Sequence, residues 1–324
     1  MRKDKLQRKL EEIARLREEG PSASAWVALE RVLEKEPGLV VAKAAHLAAE
    51  WEASELGGGL VAAFDRLIMG GSALDAQCWG KVALLKALRQ LEWPDYRVYA
   101  RGCRVRQMEP VWGGREDSAA SLRVLAFQGL ADCLSAPEQA VLEALADLLA
   151  DPVGLVRADV ARAAPGTGYL AAAYPLRLKV RLGEEDPRVL GACFDSLLAL
   201  QRSDAVGFVA EYAQTEKPEV RAEALTALAA ADLEEAVNVA REAWGRLSDP
   251  RFKKTLLLAF GSSPVASARE FLLGILAEAP LPLAAQALEA LRPRADAETR
   301  RVIGEKVEAR GDERLLEAFH KQFG

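Results

Sequence analysis

The residues best equipped for recognition or chemistry cluster between positions 93 and 117. Trp93, Tyr96, Tyr99 and Trp112 stand among Arg97, Arg101, Arg104, Arg106 and Arg115, with Glu109 in their midst. Aromatic rings and guanidinium groups make good anchors at protein interfaces. The same residue types can stack on bases and contact phosphates. They also have a purely structural use, because bulky side chains can fill the mismatch where an irregular segment meets a regular array, with Arg–Glu pairs satisfying the polar groups. The spacing leaves these three uses open. The candidate binding residues are Trp93, Tyr96, Tyr99, Arg101, Arg104, Glu109, Trp112 and Arg115.

Elsewhere the chain offers no catalytic constellation. Its histidines, His46 and His320, lie far apart and form no recognisable metal motif. Cys78, Cys103, Cys133 and Cys193 include no Cys-x-x-Cys pair and read as reduced, mostly buried thiols. Cys103 sits near Arg101 and Arg104 but has no histidine base nearby in sequence. No Gly-x-Ser-x-Gly elbow occurs. Gly57-Gly58-Gly59 is not followed by Gly-Lys-Ser or Gly-Lys-Thr, so it is expected to be a turn and not a phosphate cradle. The sequence therefore assigns no catalytic residue, no metal and no cofactor.

The elements that position the 93–117 segment follow from composition and periodicity. Of 324 residues, 50 % are apolar and only 6 % aromatic. The apolar share is mostly Ala and Leu, which favours helices over sheets. The charged N-terminus is not a signal peptide, and no apolar run approaches a membrane span, so a cytoplasmic protein is expected. Residues 1–123 hold 20 Lys and Arg against 18 Asp and Glu, whereas residues 124–324 hold 23 against 30. That acidic balance argues against tracking a nucleic-acid backbone and suits a basic partner.

Leu6, Leu10, Ile13 and Leu16 share one side of a helix over 2–19, which Gly20-Pro21 ends. Ser22 or Ser24 can cap a helix carrying Trp26, Leu29, Val32 and Leu33, and another helix covers about 39–54. Further helices are expected near 60–69, over 74–91 with Trp79, Val82, Leu85 and Leu88 facing the core, and over 95–107. A loop at 109–117 then leads to Asp117 or Ser118 as the cap of the next helix.

Beyond residue 130 a phrase returns: Asp-Pro-Val-Gly-Leu-Val-Arg from Asp151, Asp-Pro-Arg-Val-Leu from Asp186, Lys-Pro-Glu-Val-Arg from Lys217 and Asp-Pro-Arg-Phe-Lys from Asp249. The starts lie 35, 31 and 32 positions apart. This is the period of a helical solenoid whose unit is a pair of antiparallel helices. Pairs are expected near 137–150 and 152–164, 169–182 and 187–200, 204–215 and 218–230, 233–247 and 250–260, and 266–278 and 281–291. Last helices fall near 296–309 and 312–322. Proline suits the first helical position, and the preceding Asp can cap the first turn. Arg157 and Arg221, at a fixed place in the phrase, are expected to bond carboxylates or carbonyls of the next unit.

Val156-Arg157 with Ala158 and Ala161, Val220-Arg221 with Ala224, Leu225 and Leu228, and Asp249-Pro250 leading into Leu256 to Phe260 resemble HEAT-like repeats, in particular the short bacterial type also found in phycobilisome lyase-like proteins. Leu281-Pro282 with Ala285, Leu288 and Leu291 is a weaker copy. The resemblance covers about 130–324. It implies an all-α, right-handed αα-superhelix and a scaffold that holds a protein or peptide on a curved surface. Two enzyme-bearing relatives of that type handle bilins or excise alkylpurines from DNA. Nothing here singles out a bilin pocket, and Trp93, Asp95, Arg101, Arg104, Trp112 and Asp117 match only the residue types of the glycosylases. The expected organisation is an irregular helical region over 1–117 and a repeat array over 118–324. The expected function is non-enzymatic binding of a protein or peptide, with a nucleic-acid-associated protein, including a DNA glycosylase built on such repeats, as the alternative.

Overall fold

In the computed structural model, which describes residues 2–323, the described residues form nineteen α-helices, five short 3-10 turns and one two-stranded hairpin. The chain divides into two compact units, the first ending at Tyr169 and the second beginning at Leu170. The expected division at 117/118 falls inside the first unit.

The first unit contains α1 (Arg2–Glu19), α2 (Ala23–Lys35), α3 (Gly38–Glu50), α4 (Gly57–Leu74), α5 (Trp79–Gln90) and α6 (Arg97–Gly102). Strands β1 (Met108–Val111) and β2 (Gly114–Asp117) follow, then α7 (Ala120–Asp132), α8 (Glu138–Leu149) and α9 (Gly154–Ala163). Ser22 caps α2, its Oγ accepting from the Ala25 amide. The core runs along α3 and α5, where Val40, Val41, Ala44, Ala45 and Ala48 face Leu84, Leu85 and Leu88. Their amino ends approach so closely that a Cβ on Gly80 would lie 2.7 Å from the Gly38 Cα.

Four expectations for this unit are corrected. Gly57-Gly58-Gly59 is not a turn but the first turn of α4, and the reason is packing: a Cβ at Gly57 would stand 2.1 Å from Cζ3 of Trp93. The helix expected over 95–107 is the single short helix α6. The 109–117 loop is an antiparallel hairpin, with Met108 opposite Asp117 and Val111 opposite Gly114, turning at Trp112-Gly113 where Gly113 takes φ +85°. Trp79 does not face the core; α5 starts there and not at 74, which leaves the indole more than half exposed while Lys81 turns inward.

The second unit contains α10 (Ala173–Leu182), α11 (Pro187–Gln201), α12 (Ser203–Ala213), α13 (Pro218–Ala230), α14 (Glu234–Trp244), α15 (Pro250–Ser262), α16 (Ala266–Glu278), α17 (Leu281–Leu291), α18 (Ala297–Arg310) and α19 (Glu313–Phe323). These follow the expected pairs within a few residues. One layer stacks α11, α13, α15 and α17 in succession, and α12, α14 and α16 form the other. Asp186 and Asp249 cap α11 and α15 by accepting from Arg188 and Arg251 amides, with proline at the first helical position. Each Asp therefore satisfies a donor that helix geometry leaves open. Among the bonds of the phrase arginines, Arg157 donates to the Asp151 and Pro152 carbonyls and Arg221 to that of Thr215, each in the loop that precedes its own helix.

Candidate functional site

The 93–117 segment separates into a buried base and an exposed tip. At the base, Glu109 projects from β1 into the protein and is buried. Its Oε1 accepts from the Gln77 amide at 2.7 Å, Gln107 Nε2 at 2.6 Å and Ser118 Oγ at 2.6 Å, and its Oε2 accepts from Gln77 Nε2 at 3.2 Å. No Lys or Arg is paired with it among the described residues. Four donors therefore replace the water that a carboxylate loses on burial. The Ser118 hydroxyl, with Gln107 and Gln77, holds its pKa below the ordinary carboxylate value against the opposing effect of burial.

The loop that Glu109 grips is strained. Gln77 and Cys78 both take left-handed backbone, φ +57° and +56°, at a cost of about 1–2 kcal/mol each for a residue with a Cβ. Asp75, just upstream, is buried and accepts from the Gly80 and Lys81 amides at the start of α5, and it pairs with Lys81 Nζ at 2.9 Å, both side chains fully enclosed. Gln107 Nε2 also donates to the Asp75 carbonyl at 2.9 Å. The strained turn is thus held from two sides, by Asp75 within its own segment and by the strand across from it.

A second buried cluster fixes the base of the hairpin at the end of β2. Arg123 of α7 is completely enclosed. It donates in parallel to Asp151 at 2.8 and 2.9 Å, to Asp117 at 2.6 Å and to the Val105 carbonyl at 3.1 Å. Arg106 reaches Asp151 from the surface at 2.8 Å. Asp117 also accepts from the Gln107 and Ala119 amides. Those two bonds with Arg123 hold its carboxyl below the ordinary range, although burial acts in the other direction. Neither Asp117 nor Ser118 caps α7, which begins after Ala119: the Asp117 carboxylate is taken up by Arg123 and the Gln107 and Ala119 amides, and the Ser118 hydroxyl by Glu109 and the Gln107 carbonyl.

At the tip, Trp112 is fully exposed beside exposed Val111, and Met108 at the start of β1 is exposed as well. Arg115 braces the hairpin by donating to the Met108 carbonyl at 2.8 Å. The other sequence candidates scatter. Tyr99 is buried against Gly129, and Trp93 is half-buried on Gly57, so both fill space between helices. Arg101 makes a two-pronged bond to Asp65 at 2.9 and 3.1 Å. Arg97 lies 6.0 Å from the half-buried Tyr96 ring, and Arg104 is exposed. The structure brings Glu109, Trp112 and Arg115 together on one hairpin and leaves the remaining arginines dispersed.

Gln77, Asp75, Lys81, Gln107, Ser118, Arg123 and Asp151 carry this arrangement without having been singled out as a group. Only the Asp-Pro phrase at 151 and the polar run Asp117-Ser118 hinted at them. In the second unit, a cleft of about 760 Å³ is lined by Gln214, Arg221, Glu242, Arg246, Asp249 and Phe252, among others. Among the described residues no cluster of His, Cys, Asp and Glu could hold a metal ion, and no helix is long and apolar enough to cross a membrane.

Residues 175–261 match the family of HEAT repeats. That match spans α10 to α15, where the Asp186, Lys217 and Asp249 phrases lie. Among solved structures, the complex of CpcE and CpcF of phycocyanin lyase from Nostoc sp. PCC7120 is similar at 16 % identity, covering 73 % of this chain and 89 % of that one with a TM-score of 0.40. An engineered protein is similar at 18 % identity over 96 % of this chain and 92 % of its own, with a TM-score of 0.34. No curated protein matches the chain in sequence. The match thus lies within the second unit, while the hairpin belongs to the first.

Proposed function

We propose that this HEAT-repeat chain is a non-enzymatic scaffold that binds a protein or peptide, and that the 108–117 hairpin is its docking element. One observation carries the reading: Trp112 stands fully exposed on a two-residue turn whose base is locked by a buried carboxylate and a buried Arg–Asp cluster. A large indole in water is unfavourable, whereas a rigidly presented one loses little freedom on binding. The strained turn at Gln77 and Cys78 fits the same reading, since strain persists where the surroundings hold it for a purpose. The acidic balance of residues 124–324 favours a partner with basic surface. Pairing of Arg101 with Asp65 and Arg106 with Asp151 leaves less free positive charge for a nucleic acid.

The test is affinity capture from a nuclease-treated lysate with the intact chain and with Trp112→Ala. The substitution removes no folded-state contact, so both proteins should unfold alike. Loss of a dominant partner from the variant is the expected result. Retention of the same partner at the same level would remove the hairpin from the interface.

A further inference from the structure

The second unit has an apolar face that its own fold does not cover. On α10, Tyr174, Leu178 and Leu182 fall four residues apart, and Leu170 precedes them by the same step. They are 70, 58, 77 and 62 % exposed, whereas Ala173, Leu176 and Val180 bury the opposite side. The outward positions of other helices in the same unit are polar: Asp204 and Glu211 on α12, and Glu235, Asn238 and Glu242 on α14. The stripe is therefore specific to α10 and not a property of the repeat.

The charges around the stripe are already satisfied. The Arg177 guanidinium lies 4.1 Å from the Phe208 ring centroid and bonds Gln201 Oε1 at 2.8 Å. Arg181 lies 4.8 Å from the same ring and pairs with Glu211 at 3.1 Å. Lys179 pairs with the enclosed Glu184 at 2.8 Å. All three cations are drawn away from the stripe toward neighbouring groups. An acidic partner would have to take them from those partners, whereas an uncharged apolar ridge would not.

We infer that this face pairs with the same face of a second copy of the chain. Four large side chains, each more than half exposed, present on the order of 400 Å² of apolar surface, within the range of a functional patch. Two copies, with their rim residues, reach the ~1,000 Å² that a specific interface must clear, at the small end of such interfaces. Ridges of four-residue spacing interdigitate when two helices cross at about −50°. A two-fold axis between Tyr174 and Leu178 sets Tyr174 against the partner's Leu178 and Leu170 against the partner's Leu182, so one patch serves both copies.

Sedimentation velocity of the intact chain across the micromolar range tests this inference. The unsubstituted protein is expected to move from monomer to dimer. Leu178→Glu and, independently, Tyr174→Arg should each weaken self-association by about a hundredfold, with thermal unfolding unchanged at matched low concentration. Glu235→Lys, on the outer face of α14, should dimerise normally. A monomer throughout, or a dimer indifferent to both stripe substitutions, overturns the inference. So does a monomer whose stripe is occupied by a different protein. The hairpin reading is judged separately, because Trp112→Ala should leave dimerisation intact.

Discussion

Replacing Arg123 with Met removes the central cation of the hairpin's support while keeping an unbranched side chain in its place. Arg123 makes four hydrogen bonds, three of them to carboxylates, and no part of it reaches solvent. Among the described residues, its loss leaves Asp151, which is also enclosed, with Arg106 as its cationic partner, and leaves Asp117 with backbone donors. Breaking a buried ion pair from one side costs about 3–5 kcal/mol, because the remaining charge has neither water nor counterion. The partial compensation by Arg106 places the expectation at the lower end, ~3 kcal/mol. For a unit of this size that lowers the unfolding midpoint by roughly 6–12 °C. Denaturant unfolding of the intact chain, followed by Trp fluorescence, measures it. The double variant Arg123→Met with Asp151→Leu should recover part of the loss, since it removes the orphaned charge together with its partner. Arg106→Ala, at an exposed position, should cost less than about 1 kcal/mol. A loss below ~1 kcal/mol for Arg123→Met, or a double variant weaker by the sum of its parts, would refute the view that this cluster acts as a coupled unit.

Two further expectations follow from the same geometry. Glu109 and Asp117 both have folded-state pKa values below their unfolded ones. Their contribution to stability is therefore complete above about pH 4–5 and is lost as the pH falls through the lower folded values; Glu109→Gln should flatten that acid limb in a pH series of unfolding midpoints, and an unchanged slope would contradict it. Burial pushes the Cys103 and Cys193 thiols up to about 12 and raises that of Cys78, so mass-resolved alkylation of the native protein at neutral pH should modify the half-buried Cys133 and spare the other three until the protein is unfolded. Early labelling of Cys103 or Cys193 would count against the packing described.

The repeat array was legible in the sequence because its causes are local. An Asp–Pro start, an apolar period and a short turn act within one helix pair, and Asp186 and Asp249 cap their helices as that grammar requires. The aromatic and arginine segment was legible as a place, and Trp112 and Arg115 do lie on its exposed hairpin. Tyr99, Trp93 and Arg101 were indistinguishable from them by type, since only the neighbours Gly129, Gly57 and Asp65 decide that these are packed or paired.

What the sequence determined by itself is the helical repeat architecture and the bounds of the helices in the second unit, since propensity, caps and period depend on residues a few positions apart. What only the tertiary structure decided is the function of the polar residues in the first unit. Gln77 meets Glu109 across 32 positions, and Arg123 meets Asp151 across 28. No periodicity relates such pairs. Burial makes each carboxylate depend on every donor around it, and burial arises only when the helices have packed.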